Sequence, residues 1–151
     1  MHQPLAFDTS GITSMAFMLA NTGMNSSINF DTSAVTTMQS MFHNASSLNV
    51  LPTFNDTSNV TTMLNMFQGC VSFDQDISGF DITNLTTAGG MFTYSGWTIT
   101  NYDLLLVAWN AYGTSDVPFH AGTAHYSAGG PTTARAAMVS RGWTITDGGT
   151  P

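Results

Sequence analysis

Asp31-Thr32-Ser33-Ala34-Val35-Thr36-Thr37-Met38 returns, almost unchanged, as Asp56-Thr57-Ser58-Asn59-Val60-Thr61-Thr62-Met63. An earlier copy, Asp8-Thr9-Ser10-Gly11-Ile12-Thr13-Ser14-Met15, precedes both. A worn one, Asp81-Ile82-Thr83-Asn84-Leu85-Thr86-Thr87-Ala88, follows them. The leading Asp moves from 8 to 31, 56 and 81, in steps of 23, 25 and 25 residues. Downstream, Met18-Leu19, Met41-Phe42, Met66-Phe67 and Met91-Phe92 keep the same register. A period of this size belongs to chains in which each pass buries its apolar side only against its neighbours.

The second copy places Val35, Met38, Met41 and Phe42 at i, i+3, i+6 and i+7, the spacing of one helix face. Val60, Met63, Met66 and Phe67 repeat it, as do Ile12, Met15, Met18 and Leu19. Ser33 stands where an N-cap belongs, and Asp31 can accept the exposed N–H groups of the turn. The recurrent Met suits irregular gaps in a core. Upstream of the Asp, Ile28-Asn29-Phe30-Asp31 and Ile77-Ser78-Gly79-Phe80-Asp81 alternate as short strands do. The expected fold is therefore an α/β solenoid, a leucine-rich-repeat-like stack of short parallel strands and short helices in about four coils. At about 4.8 Å per coil the stack would be roughly 20 Å long.

The pattern changes after Phe92. Tyr102 to Ala111 reads as a helix capped by Asn101, and Thr132 or Thr133 to Ser140 as a second one after Pro131. Gly96-Trp97-Thr98-Ile99-Thr100-Asn101 and Gly142-Trp143-Thr144-Ile145-Thr146-Asp147 are near-identical. Both read as strands that extend the sheet while their Trp side chains cover its end. The division is a repeat region over 1–95, with coils near 7–29, 30–54, 55–79 and 80–95, and a C-terminal α/β cap over 96–151. Together they make one structural domain. Met1 to Ala6 is too short to seal the other end.

Composition narrows the function. The chain has 151 residues, no Lys and no Glu; Arg135 and Arg141 are its cations, against nine Asp and a net charge of −7. Charged residues make up 7%, so Thr, Ser, Asn and Gly must wet the surface, while a 42% apolar share calls for a packed core. Almost no cation is present to replace phosphate counterions, which excludes nucleic acid as a partner. No apolar run is long enough for membrane insertion. Met1-His2-Gln3-Pro4 has no signal-peptide character. Cys70 aligns with Ala45 and reads as core filler. Sequons at Asn25, Asn44, Asn55, Asn59 and Asn84 arise easily in such a composition.

Catalytic patterns are missing. There is no Gly-x-Ser-x-Gly elbow, phosphate loop or dinucleotide fingerprint, so the chain is not expected to be an enzyme. The spacing of His120, His125 and Asp116 fits no zinc pattern. Turn capping accounts for the column Asp8, Asp31, Asp56 and Asp81. Ca²⁺ is the alternative use of stacked carboxylates, but a single file supplies few ligands. No cofactor is expected. Rows of Thr at 36–37, 61–62 and 86–87 resemble ice- or mineral-binding arrays, but fall within the expected helices.

The run Asp-Thr-Ser-x-Val-Thr-x-Met-x-x-Met-Phe, with Gly69-Cys70-Val71-Ser72-Phe73-Asp74-Gln75-Asp76-Ile77-Ser78, resembles the BspA-like leucine-rich-repeat surface proteins and their repeats of roughly 25 residues. Phe119-His120-Ala121-Gly122, Tyr126-Ser127, Ala134-Arg135 and Gly142-Trp143-Thr144-Ile145-Thr146-Asp147-Gly148-Gly149 resemble the C-terminal module common in the bacterial members. Ile82 in place of Thr and Ala88 in place of Met depart from the pattern. The resemblance implies adhesive or recognition roles at a cell surface and brings no catalytic residues.

The expectation is a non-enzymatic recognition or adhesion module, extracellular or on a cell or virion surface, that binds a cell-surface protein or glycan. Asn29, Asp31, Ser78 and Asp81 on the strand face are the candidate contacts. The alternative is a structural virion or filament component (a tail-fibre, decoration or appendage domain). It would dock on its parent chain or self-assemble through its open N-terminal coil.

Overall fold

A computed structural model describes residues 8–151. The repeated segments lie side by side, and their backbones bond one pass to the next. Parallel bridges run Ser14 to Thr37, Thr37 to Thr62 and Thr62 to Thr87. Alternate N–H groups of one pass donate to carbonyls of the following pass: Met38 to Thr62 (2.9 Å), Ser40 to Leu64 (2.8 Å), Phe42 to Met66 (3.0 Å) and Asn44 to Gln68 (2.7 Å). The same four bonds join the first pass to the second and the third to the fourth.

Two short strands accompany this ladder. β1 (Asn29–Phe30) pairs in parallel with β2 (Thr53–Phe54). Ile77 to Phe80, expected as a strand, is a turn instead: Phe80 N–H bonds Ile77 O, and Asp76 accepts Ser78 N–H at 2.8 Å. An Asp side chain that accepts the N–H two residues on favours that local turn over a sheet ladder.

The expected short helices are absent from the described residues before Ile99. Val35, Met38, Met41 and Phe42 are all fully buried, but in consecutive tight turns. The reason lies in two columns of left-handed residues. Phe17, Ser40, Asn65 and Gly90 form one, and Asn21, Asn44, Gly69 and Tyr94 the other, with φ from 53° to 75°. A left-handed residue every few positions stops any i to i+4 ladder, and Asn and Gly enter that region most cheaply. The Thr pairs at 36–37, 61–62 and 86–87 accordingly sit on or beside the parallel ladder rather than in helices.

The core is a column of rings. Phe42, Phe67 and Phe92 stack at 5.4 Å, and Trp97 closes the column 3.9 Å from Phe92. Cys70 is buried beside it and its thiol bonds Phe42 O at 3.0 Å. Burial pushes that thiol up to about 12, which keeps it unreactive.

Beyond the fourth pass come α1 (Ile99–Asn110), β3 (Pro118–His120), α2 (Gly130–Ser140) and β4 (Thr144–Thr146). α1 starts earlier than expected. Asp74, from the third pass, accepts the Thr98 N–H and the Asn101 amide at 3.0 and 2.8 Å, so Asn101 lies inside the helix. α2 likewise begins at Gly130, one residue before Pro131. It is β3 that continues the ladder: Ala88 bridges Phe119, and β4 pairs in parallel with β3. The Gly96–Asn101 piece is no strand; its second half enters α1. Gly96 is needed there, because a Cβ would lie 2.2 Å from Val71 O. Both Trp side chains are buried, Trp97 on Phe92 at the end of the ring column and Trp143 against Trp109 and Phe119. Met1 to Ala6, read as too short to seal the opposite end, lies outside the described residues.

Candidate recognition face

Each Asp of the column caps its own turn. Asp8, Asp31, Asp56 and Asp81 accept the N–H of Ser10, Ser33, Ser58 and Thr83 at 2.8 to 3.1 Å. Hydroxyl bonds from Ser10, Ser33 and Ser58, then the backbone bonds, hold the carboxyls of Asp8, Asp31 and Asp56 below the usual range. Asp31 also accepts the Asn55 side-chain amide at 3.1 Å. That Asn is an inserted residue: Phe30 adjoins Asp31, whereas Asn55 separates Phe54 from Asp56.

Where the third and fourth passes meet the end of α1, three side chains close a polar recess of about 310 Å³: Asp56, Asp81 and Tyr112. Asn55, Phe54 and Phe80 complete its walls. Tyr112 lies two residues past the end of α1, and its N–H bonds Trp109 O at 3.2 Å. Partial burial and then the Asp81 charge raise its phenol above the ordinary value. In both Asp56 and Asp81 one carboxylate oxygen caps the turn, and Oδ2 takes no hydrogen bond among the described residues. A second recess, of about 320 Å³, shares Phe54, Gly79 and Phe80 as a common wall and adds Leu51, Thr53 and Asp76.

A third hollow is different in character. About 520 Å³ in volume, it is floored by Leu104, Val107, Ala108 and Pro131 and rimmed by Ser78 and Asp103. Leu104 and Val107 are 47% and 51% exposed there.

The four residues expected on the strand face therefore do not converge. Asp81 is in the polar recess and Ser78 on the rim of the apolar hollow. Asn29 is exposed on β1, opposite Thr53, and Asp31 reaches the recess only through Asn55. Sequence reasoning missed Asn55 and Tyr112. The extra residue before Asp56 was a visible signal for the first; nothing in the sequence ties Tyr112 to the repeat.

Metal chemistry gains no support from side-chain clustering: among the described residues no three His, Cys, Asp or Glu groups gather in a way that could hold an ion. The ring nitrogen Nδ1 of His120 accepts the Gly122 N–H at 3.0 Å, and Nδ1 of His125 lies 3.2 Å from Gly149 O. Both imidazoles are engaged in the backbone of their own loops. No helix among the described residues is long and apolar enough to cross a membrane.

The family model described as a Mycoplasma protein of unknown function, DUF285, matches residues 2–109. No curated protein and no solved structure matches the chain.

Proposed function

The chain belongs to the DUF285 family, and from that starting point we propose that it is a non-enzymatic recognition module, displayed on a cell or virion surface or released from it. On this reading the stacked passes are a short solenoid related to the BspA-like leucine-rich-repeat proteins. Its ligand is a cell-surface glycan or protein. The observation that carries the reading is the polar recess, where Asp56 and Asp81 each hold one carboxylate oxygen free of the turn it caps. A carboxylate fixed through one oxygen and open at the other is a preorganised acceptor for a ligand's donors.

Glycoside cleavage by the same pair is disfavoured. That chemistry needs one carboxyl held protonated near neutrality, and the Ser58 hydroxyl and N–H shift Asp56 the opposite way. The test is binding of labelled protein to a panel of intact cells and immobilised glycans, in Ca²⁺ and in EDTA. Saturable binding that survives EDTA and is lost in the Asp81→Ala, Tyr112→Ala double variant is expected. Undiminished binding by that variant would place the contact elsewhere.

A further inference from the structure

We infer that the two recesses sharing Phe54, Gly79 and Phe80 are adjacent subsites for consecutive units of a neutral glycan chain. The inference rests on the recognition reading above and narrows it to a ligand class.

The recess chemistry asks for donors. Asp56 and Asp81 offer free Oδ2 acceptors, whereas two of the neighbouring donors are already committed. Asn55 gives its amide to Asp31, and the Thr57 hydroxyl bonds Asp81 O at 3.1 Å. A ligand rich in hydroxyl groups supplies what is missing. Tyr112, 40% exposed at the rim, adds a flat aromatic surface for the C–H face of a sugar ring. Phe54 and Phe80 carry an apolar wall from the first recess into the second, where Leu51 meets Asp76 and Thr53. Hydroxyl groups and apolar ring faces are what a sugar unit presents; the first recess, almost wholly polar, suits the hydroxyl groups, and the second, about half apolar, suits a ring face as well.

Charge removes the acidic glycans. Arg135 is committed to Asp147 at 2.7 Å, and Arg141 to Asn110 Oδ1 and the Thr114 carbonyl at 2.9 and 3.2 Å. Neither cation lines a recess, so a sulfate or sialate would meet only Asp carboxylates. A basic peptide would satisfy the first recess by charge alone, but it leaves the half-apolar second one without a repeating partner. The neutral glycan is the occupant that both halves favour.

Gly79 makes the inference testable without removing any hydrogen-bonding group. A Cβ built there meets nothing within 4 Å, and the residue is outside the left-handed region, so a larger side chain is accommodated and projects from the shared wall. The experiment is calorimetric titration of the intact protein with gluco- and manno-oligosaccharides, as mono-, di- and tetrasaccharides. A sialylated oligosaccharide and an oligolysine serve as comparators. The expected result is a gain of about tenfold or more from mono- to disaccharide, as a second subsite fills. Gly79→Tyr and Asp81→Asn should each lose about tenfold in affinity while retaining the native circular dichroism spectrum. Preference for oligolysine or for the sialylated sugar overturns the inference, as does neutral-sugar binding indifferent to Gly79→Tyr. If the protein binds cells through Asp81 and Tyr112 yet takes no neutral sugar, the inference falls and the recognition reading stands. Absence of both kinds of binding removes both.

Discussion

The hydroxyls of Thr9, Thr32 and Thr57 are buried, and each donates to the backbone carbonyl of the Asp that opens the following pass: Asp31, Asp56 and Asp81. Thr9 and Thr32 also accept the N–H of that same Asp, at 2.8 and 3.1 Å. In the fourth pass the equivalent residue is Ile82, also fully buried, and no further Asp-led turn follows it. The departure from the motif thus has a cause: a hydroxyl there would be sealed from water with nothing to bond. Ala88 is a parallel case, because it is fully buried and bridges Phe119 of the C-terminal module instead of another pass. Ile82→Thr is expected to lower stability by about 1–3 kcal/mol, the cost of an unpaired buried hydroxyl. Thr57→Val should cost about 1–2 kcal/mol through the orphaned Asp81 carbonyl. Urea unfolding of the two variants checks both, and a neutral Ile82→Thr would mean that a partner exists on the capped side. The sequence displayed both departures, but their meaning depended on knowing what lies above the fourth pass.

At the scale of elements, the apolar positions of the repeat were legible and their conformation was not. Val35, Met38, Met41 and Phe42 satisfy a helical template and are buried as it requires. Yet successive turns broken by left-handed Ser40 and Asn44 bury the same set. Apolar spacing reports which side chains go inside; over a segment this short it does not separate a helix from a string of turns. The Asn and Gly residues at 21, 44, 65, 69 and 90 were the available sign, each at a φ that suits them. In the C-terminal module the relevant contacts are long-range. Asp147 accepts Arg135 Nε at 2.7 Å and the Tyr102 hydroxyl at 2.6 Å, while the guanidinium lies 5.2 Å from the Tyr126 ring centroid. Burial first, and then the bond to Asp147, raise the Tyr102 phenol well above its ordinary value, so it stays a donor. The Asp147 side chain is only 4% exposed. Asp147→Ala strands Arg135 and is expected to cost about 3 kcal/mol or more. Arg135→Met with Asp147→Leu should recover much of that loss. Thermal unfolding of the single and double variants decides, and equal losses in both would show that packing rather than the charge pair matters.

For the molecule as a whole, the acidic surface sets a pH dependence whose sign is fixed. Asp8, Asp31 and Asp56 titrate below the unfolded value of 3.8, so the folded chain binds fewer protons than the unfolded one in acid. Their contribution is fully present at neutral pH and is lost as pH falls through the folded values, below 3.8. Melting temperature should therefore be level through the neutral range and decline in strong acid, and replacing Ser10, Ser33 and Ser58 together by Ala should flatten that decline. A decline unchanged by the triple variant would assign the acid sensitivity to other carboxylates. The candidate site was legible in half: the Asp column stood out in the sequence, while the recess needs Tyr112, which enters only because α1 ends above the fourth pass.

The hydroxyl bridge of the Asp-Thr-Ser motif has a consequence for how such a chain can change through descent. Every junction below Ile82 uses the same hydroxyl-to-carbonyl bond, so a duplicated segment inserted there finds its socket on both sides. Ile82 works as a terminator that tolerates no successor. The recess is built at this final junction, from Asp56, Asp81 and Tyr112. Gene duplication upstream could therefore lengthen or shorten the array, and with it the reach of the module, while handing the ligand pocket down unaltered.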